Sequence, residues 1–155
     1  MGRLPAVGDS FVPGLSYRSG AHELWALIVE SFREWERRVD AAAGEAGLSP
    51  VSAWALVQLD PDHPSSQKEL AARLHCTPST VVDPTDRLEE GGLVRRRTNP
   101  ADRRVNELMV TAKGRRVREQ LIACLFQPPA QLERLPRAEQ ERFRDAMLAL
   151  VRKSQ

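Results

Sequence analysis

The 155-residue sequence has few aromatic residues, few cysteines and no long hydrophobic run. Aromatic residues make up 5% of the chain, so a hydrophobic core has to consist mainly of Leu, Val and Ala. No apolar stretch approaches the roughly 20 residues of a transmembrane helix, which argues against a membrane protein. The first 20 residues lack an apolar stretch behind a basic start, so we expect no signal peptide. Two cysteines far apart in sequence then indicate reduced thiols and a cytoplasmic location.

Motifs of catalysis and of metal binding are also missing. The sequence has no Gly-rich phosphate loop, no G-x-S-x-G and no H-E-x-x-H. His63, His75 and Cys76 could contribute to a metal site, but their spacing matches no compact zinc pattern. We therefore expect no enzymatic activity, no metal and no cofactor.

The net charge of +2 hides an uneven distribution of charge. Residues 65–118 carry 12 Lys/Arg and 7 Asp/Glu, a net charge of +5, whereas the rest of the chain carries 11 Lys/Arg and 14 Asp/Glu, a net charge of −3. Local positive charge of this kind attracts phosphate backbones. An ordinary solvated face has a similar composition, so the order of the elements has to decide between the two interpretations.

Helical patterns flank the basic segment on its N-terminal side. Residues 1–19 predict an irregular arm, and residues 20–43 predict a helix with apolar residues at spacings of three and four. Ser49 as N-cap and Pro50 at the first helical position open a second helix, which runs to about Leu59.

Helical patterns also follow the basic segment. Thr111 is expected to cap a long helix, which Pro128 and Pro129 break. A last helix from about Pro136 has an apolar stripe formed by Phe143, Met147, Leu150 and Val151.

The basic segment itself begins with two helices joined by a tight turn. Ser66 and Glu69 form a capping box at the start of the first helix. His75-Cys76 forms the turn, and Thr77-Pro78 predicts a second helix that starts in the same way as the helix after Ser49. Gly91-Gly92 ends this second helix.

Two short strands follow, at 93–97 and 104–110, around a polar loop at 98–102. Their alternation is imperfect, because Glu107 occupies a position where a buried apolar residue is expected. This order of elements is a winged helix, in which one helix enters a DNA major groove and a charged hairpin lies beside it.

The segment resembles the MarR family, the multiple-antibiotic-resistance repressor family of transcriptional regulators. The matching motifs are SQKELAARL at 66–74, STV at 79–81, DRLEEGGLVRR at 86–96, NPADRR at 99–104 and TAKG at 111–114. The resemblance implies a homodimer in which the first helix and the last two helices of each chain interlock. It implies two winged helices on successive major grooves of a pseudo-palindromic operator. It also implies repression that a small aromatic or anionic ligand, or thiol oxidation, relieves.

We therefore predict a mostly α-helical fold, a winged helix-turn-helix with helical dimerisation elements. Residues 1–19 form the arm, residues 20–47 and 112–155 form the dimerisation region, and residues 48–111 form the DNA-binding domain. The alternative is a ligand-sensing or protein-interaction member of the fold that binds DNA weakly.

The predicted DNA contacts come from the second helix of the basic segment, from the helix that precedes it and from the wing, which is the hairpin formed by the two strands. Hydroxyl groups can bond phosphates or base edges, and a valine methyl group can touch a thymine methyl group. The alternative interpretation is that the Ser and Thr residues at 77–80 simply favour a helix start. The predicted contacts are Ser66, Gln67, Thr77, Ser79, Thr80, Val82, Asp83, Arg87, Arg97, Arg103 and Arg104, with Asp102 orienting the wing. By the resemblance, Arg104 enters the minor groove and Asp102 holds it, and a solvated ion pair is the alternative.

Three arginines in a row, at 95–97, must alternate across their strand, so at least one is expected to pair within the protein. Core packing is expected for Cys76 and Cys124, because neither lies where the peroxide-sensing branch of the family has its reactive thiol. The tryptophans Trp25, Trp35 and Trp54 are expected in the core or in a dimer interface. The alternative is that they line a ligand cavity between the helical and winged parts.

Asp83-Pro84 departs from the family, which usually has a basic residue followed by an aliphatic one. The second helix of the basic segment, which starts at Thr77-Pro78, is called the recognition helix here because it is the one expected to enter the major groove. A proline in mid-helix costs about 3 kcal/mol, so we predict that the recognition helix is bent or distorted at Pro84. The proline also disfavours helical geometry at Asp83. A carboxylate there is repelled by phosphates, but it can accept a hydrogen bond from a cytosine amino group.

Overall fold

The computed structural model describes residues 12–98 and 106–152. These residues form a largely helical structure with one small antiparallel sheet, so the predicted fold class is confirmed. The elements are α1 (Gly20–Glu45), α2 (Pro50–Gln58), β1 (Ser65–Ser66), α3 (Gln67–Arg73), a 3₁₀ turn (Pro78–Val81), α4 (Val82–Glu90), β2 (Val94–Thr98), β3 (Asn106–Val110), α5 (Ala112–Leu125), α6 (Ala130–Glu133) and α7 (Arg137–Arg152). The predicted arm at 1–19 lies mostly outside the described residues. None of the described helices combines the length and the hydrophobicity that a membrane span requires.

Three helices begin at the hydroxyl caps that the sequence predicts. The Ser49 hydroxyl accepts a hydrogen bond from the Ser52 amide at 3.1 Å and starts α2, with Pro50 as its first residue. Thr111 accepts from the Gly114 amide at 3.0 Å and starts α5. Such caps satisfy amide groups that have no partner inside the helix.

Both halves of the capping box at the start of α3 are present. The Glu69 amide donates to the Ser66 hydroxyl, and the Ser66 amide donates to the Glu69 carboxylate at 2.7 Å. Donation by the Ser66 amide lowers the pKa of Glu69 below its ordinary value.

The sheet has the order β1-β3-β2, and both pairings are antiparallel. Val94 pairs with Val110 and Thr98 pairs with Asn106, so the predicted hairpin is present. The sequence did not predict β1, because two residues are too few to show a period. The tip of the hairpin, at 99–105, lies outside the described residues.

A leucine-rich core joins α1, α2, α3, α4, α5 and the sheet. Its largest fully buried side chains include Leu56, Leu59, Leu70, Leu88 and Leu108. Gly114 shows how closely α5 approaches the wing, because a Cβ atom there would lie 1.9 Å from the carbonyl oxygen of Leu93. Only glycine fits at that position, which explains the glycine of the TAKG motif.

Several apolar residues of α1 are exposed, including Leu24, which lies on the predicted apolar side of the helix. Trp25, expected in the core or in a dimer interface, is 59% exposed and lies outside the core of the single chain, and Phe32 is exposed as well. The prediction of core packing is wrong for Cys124, which is exposed, whereas Cys76 is half-buried against the core. The period of a helix identifies its apolar side, but it does not say how far along the helix that side is covered.

The chain divides into two compact units, one that ends at Leu125 and one that begins at Phe126. The first contains α1 to α5 and the sheet, and the second contains α6 and α7. Within the second unit, α7 exposes Phe143, Leu148, Leu150 and Val151. The short helix α6 was not predicted. The grouping of 20–47 with 112–155 as a dimerisation region stays a prediction.

Candidate nucleic-acid interface

The recognition helix starts differently from the helix after Ser49, although the two sequences suggest the same start. Thr77 makes no side-chain cap, and the chain first forms the 3₁₀ turn Pro78–Val81. Because the Thr80 amide already donates to the Thr77 carbonyl at 3.0 Å, the helix start does not need the Thr77 hydroxyl. That hydroxyl lies 2.9 Å from the hydroxyls of Ser79 and Thr80. The three exposed residues form one cluster, which we call the hydroxyl cluster.

Pro84 lies in the first turn of α4, where a missing amide hydrogen leaves no gap in the hydrogen-bond pattern. The assumption of a mid-helix proline is therefore wrong. The local irregularity lies upstream, where the 3₁₀ turn gives way to α4 at Val82. Asp83 is helical, contrary to the expectation that Pro84 displaces it. Pro84 itself is buried, so its ring contributes to packing.

Asp83 and Arg87 form an ion pair on the exposed face of α4. Arg87 Nε donates to Asp83 Oδ2 at 3.1 Å, and both side chains are mostly exposed. This hydrogen bond and the attraction of Asp83 raise the pKa of Arg87. The bond uses Nε, so it leaves the two terminal nitrogens of the guanidinium for another acceptor. Asp83 thus holds the guanidinium of Arg87, a role that the sequence did not suggest.

Arg96 links strand β2 to the recognition helix, and it confirms that one arginine of the triplet pairs within the protein. Its guanidinium forms ion pairs with Asp86 and with Glu89, the latter at 2.6 Å, and donates to the Thr85 hydroxyl at 3.0 Å. Burial lowers the pKa of Arg96, but hydrogen bonds and attraction from both carboxylates outweigh it and raise that pKa.

The Thr85 hydroxyl is buried and completes this link to α3. It accepts hydrogen bonds from Arg96 and from Gln67 Nε2, the latter at 3.0 Å, and it donates to the Val82 carbonyl. Gln67, a predicted DNA contact, therefore also holds α3 against α4. Arg96 and Thr85 were not predicted as site residues. The signal was present in Asp86 and Glu89, which stand three residues apart and so share a side of the helix.

The described part of the wing exposes two arginines. Arg95 and Arg97 lie on the face opposite Arg96, as strand alternation requires. Arg97 donates to Glu107 across the hairpin at 3.0 Å, which explains the half-buried carboxylate on β3. The predicted wing residues Asp102, Arg103 and Arg104 lie outside the described residues.

The exposed face of the recognition helix is acidic. Helix α4 contains four carboxylates and one arginine. Arg96 pairs with both Asp86 and Glu89 and offsets one of their two charges, whereas Asp83 and Glu90 remain on the exposed face with Arg87 and Val82. The positive charge of the segment therefore lies on the wing and on α5, and the recognition helix carries little of it.

A cleft lies where α1, α2 and the start of the recognition helix come together. Its volume is about 500 Å³. It is lined by Trp35, Glu36, Val39, Asp40, Pro50, Val51, Trp54, Leu74, Cys76, Thr80 and Val81. Trp35 and Trp54 meet edge to face with their ring centres 5.4 Å apart. Two of the three tryptophans thus line a cavity between the helical and winged parts, while Trp25 lies elsewhere.

Comparison with known proteins points to one family. The model of the MarR family matches residues 48–105. The HTH-type transcriptional repressor MdtR of Bacillus subtilis (strain 168) is 35% identical over 68 residues, which span 44% of this chain and 44% of the relative. The match thus covers less than half of either protein.

Solved structures resemble a larger part of the chain. CouR from Rhodococcus jostii RHA1, bound to p-coumaroyl-CoA, is 25% identical with a TM-score of 0.64, and the match covers 86% of this chain and 95% of CouR. The apo form of MarR from E. coli is 20% identical with a TM-score of 0.65, and the match covers 82% of this chain and 96% of MarR. At this identity the E. coli protein supports the fold alone.

Proposed function

We propose that this chain, which belongs to the MarR family through its winged helix-turn-helix, is a homodimeric transcriptional regulator that binds specific double-stranded DNA. The observation that carries the proposal is the exposed hydroxyl cluster at the start of a recognition helix, beside a hairpin with exposed arginines. The family consists of DNA-binding regulators without enzymatic activity, which agrees with the expectation from the sequence. As a regulator of this kind, the protein would act in the bacterial cytoplasm.

Base recognition is assigned to the recognition helix. The hydroxyls of Ser79 and Thr80 suit phosphates or base edges, and the exposed Val82 suits a thymine methyl group. Arg87 suits guanine, because its two terminal nitrogens match the O6 and N7 acceptors of that base. Asp83 then acts by positioning Arg87, in addition to its predicted contact with a cytosine amino group.

Backbone binding is assigned to the wing and to the neighbouring helix. Arg97 and, by the resemblance, Arg103 and Arg104 supply positive charge to the DNA, with Asp102 orienting Arg104. Ser66 and Gln67 lie beside the recognition helix, and this part of the protein contacts DNA phosphates in the proposed complex. Their side chains already bond Glu69 and Thr85, so we expect their contribution to be small.

Apolar surface at both ends of the chain supports a homodimer. Both α1 and α7 expose several large apolar side chains, among them Trp25, Phe32 and Phe143, and contiguous apolar surface marks interaction sites. A two-fold dimer would cover them and would present two recognition helices to a pseudo-palindromic operator. Light scattering at micromolar concentration is expected to give twice the chain mass, and a monomer mass would contradict the proposal.

Repression relieved by a small ligand is the proposed mode of action. The cleft includes Thr80 and Val81 from the start of the recognition helix, so an occupant would touch the segment that positions the hydroxyl cluster. A matched relative is a repressor, and a structural neighbour holds a small molecule, which supports this mode of action.

The acidic face of α4 favours one alternative, a family member that senses a ligand or binds a protein and binds DNA only weakly. Selection of bound sequences from a random duplex pool, followed by titration at several salt concentrations, separates the two proposals. A DNA regulator gives an enriched two-fold motif and an affinity that falls steeply with salt. Arg104→Ala is then expected to cost about 1–3 kcal/mol of binding and to reduce the salt dependence. An unenriched pool would favour the alternative.

A further inference from the structure

We infer that the cleft between α1, α2 and the recognition helix takes an aromatic organic cation. The inference rests on the proposed function in one respect: it names the class of the ligand that is proposed to bind this cleft and to relieve repression. The volume of about 500 Å³ lies within the range of pockets for small molecules.

Charge at the mouth of the cleft selects a cation. Glu36 and Asp40 line it from the same side of α1, and no Lys, Arg or His is among its described lining residues. Neither carboxylate forms an ion pair with a described residue. Two like charges four residues apart on a helix repel each other. A cation between them relieves this repulsion, whereas an anion adds to it.

The apolar wall selects an aromatic body. The rings of Trp35 and Trp54 lie at 86° to each other, so a bound cation can meet the face of one indole while its aromatic part packs on the other. The Trp35 indole N–H donates to the Leu125 carbonyl at 3.2 Å, which fixes that ring in place. Val39, Leu74 and Val81 supply the remaining apolar contact.

The acidic lining distinguishes this chain from what the resemblance implied, which was an aromatic or anionic ligand. The aromatic part of that expectation agrees with the two tryptophans. The anionic part conflicts with Glu36 and Asp40, because no described lining residue offers a compensating positive charge.

The test compares a matched pair of probes on the full chain. (1-Naphthylmethyl)trimethylammonium and 1-naphthaleneacetate have the same ring system and opposite charge. Titration calorimetry and quenching of tryptophan fluorescence are expected to show the cation bound at least about tenfold more tightly than the anion. Added salt is expected to narrow that difference, because the carboxylates are exposed. Equal binding, tighter binding of the anion, or no binding of either probe would overturn the inference.

Variants of lining residues test whether the cationic probe binds in the cleft. Glu36→Gln and Asp40→Asn are each expected to weaken binding of the cation about threefold, and the pair together more. Glu30→Gln removes an exposed carboxylate of the same helix outside the cleft and is expected to change nothing. Val51→Lys places a positive charge at the exposed rim and is expected to exclude the cation while leaving the fold intact. Unchanged affinity in Glu36→Gln/Asp40→Asn would contradict the inference.

Binding to operator DNA is measured separately with and without the cation. If DNA is bound but the cation is not, the proposed regulator stands and the inference is wrong. If the cation is bound but no duplex is, the ligand class stands and DNA recognition is wrong. Release of the operator by the cation supports both.

Discussion

Two helix starts in this chain share a sequence pattern and a backbone conformation, yet they use their hydroxyl groups differently. Ser49 has φ −72° and ψ 154°, and Thr77 has φ −82° and ψ 153°; each precedes a proline. The Ser49 hydroxyl caps α2, whereas the Thr77 hydroxyl joins the exposed hydroxyl cluster. The difference follows from the 3₁₀ turn, which satisfies the Thr80 amide through the backbone. A hydroxyl that the fold does not need is available to a ligand.

The recognition helix is held by contacts other than a cap. Arg96, with Asp86, Glu89 and Thr85, attaches α4 to the wing. The helix after Ser49 depends on its own cap and on burial of its apolar residues. Variants that remove each kind of support test this contrast.

The largest expected effect comes from Arg96→Met, which removes the guanidinium that pairs with Asp86 and Glu89 and leaves Glu89 only its bond from the amide of residue 96. The Arg96 side chain is only 25% exposed, so we expect a loss of about 1–3 kcal/mol in the free energy of unfolding. Arg95→Met, on the exposed face of the same strand, is the control and is expected to cost less than about 0.5 kcal/mol. Urea unfolding at one protein concentration measures both. Similar losses in the two variants would mean that Arg96 does not anchor the helix.

The next effect concerns the exposed side of the recognition helix. Asp83→Ala frees Arg87, and we expect the preference for the selected operator over random duplex to fall about tenfold while random binding stays or rises. Glu90→Ala removes an exposed carboxylate of the same helix and leaves the hydrogen bond between Asp83 and Arg87 in place, so it should strengthen binding to both duplexes alike. If Asp83→Ala also strengthens both alike, Asp83 acts only by repelling phosphates.

A smaller effect compares the two starts directly. Ser49→Ala is expected to lower the free energy of unfolding by about 1 kcal/mol and to leave DNA affinity unchanged. Thr77→Ala is expected to cost less than about 0.5 kcal/mol of stability and to weaken operator binding. Thermal unfolding and fluorescence anisotropy measure the two properties. A stability loss in Thr77→Ala as large as that in Ser49→Ala would show that its hydroxyl does support the helix.

The smallest expected effect is the pH dependence of the capping box at the start of α3. The pKa of Glu69 is lowered from 4.5, so its contribution to stability is present above that pH and is lost as the pH falls through the folded-state pKa. The difference in unfolding free energy between the native chain and Glu69→Gln should therefore shrink between pH 6 and about pH 3. Glu119→Gln, an exposed glutamate of α5, serves as the control. A difference independent of pH would mean that the charge of Glu69 contributes nothing.

The sequence alone determined the local features of this protein. Ser49, Ser66 and Thr111 mark real helix starts, because a side-chain cap depends only on residues within one turn. The helix-turn-helix and its hairpin also followed from periodicity and from turn residues, since these depend on neighbours in the chain. The same local reasoning identified the segment that resembles the MarR family.

Only the tertiary structure decided which local conformation the chain adopts after Thr77 and which distant elements meet. The 3₁₀ turn placed Pro84 in a first turn and released the hydroxyl of Thr77, which no local pattern distinguishes from Ser49. Arg96 reached Thr85 because strand β2 packs against α4, and Cys124 remained exposed because packing does not cover the whole apolar side of α5. The spacing of four residues between Asp83 and Arg87 was enough to predict their ion pair from the sequence. Its role in DNA binding depended on which face of the helix the core leaves exposed. Burial is a property of the assembled elements, so the structure had to decide which polar groups support the fold and which are free to bind.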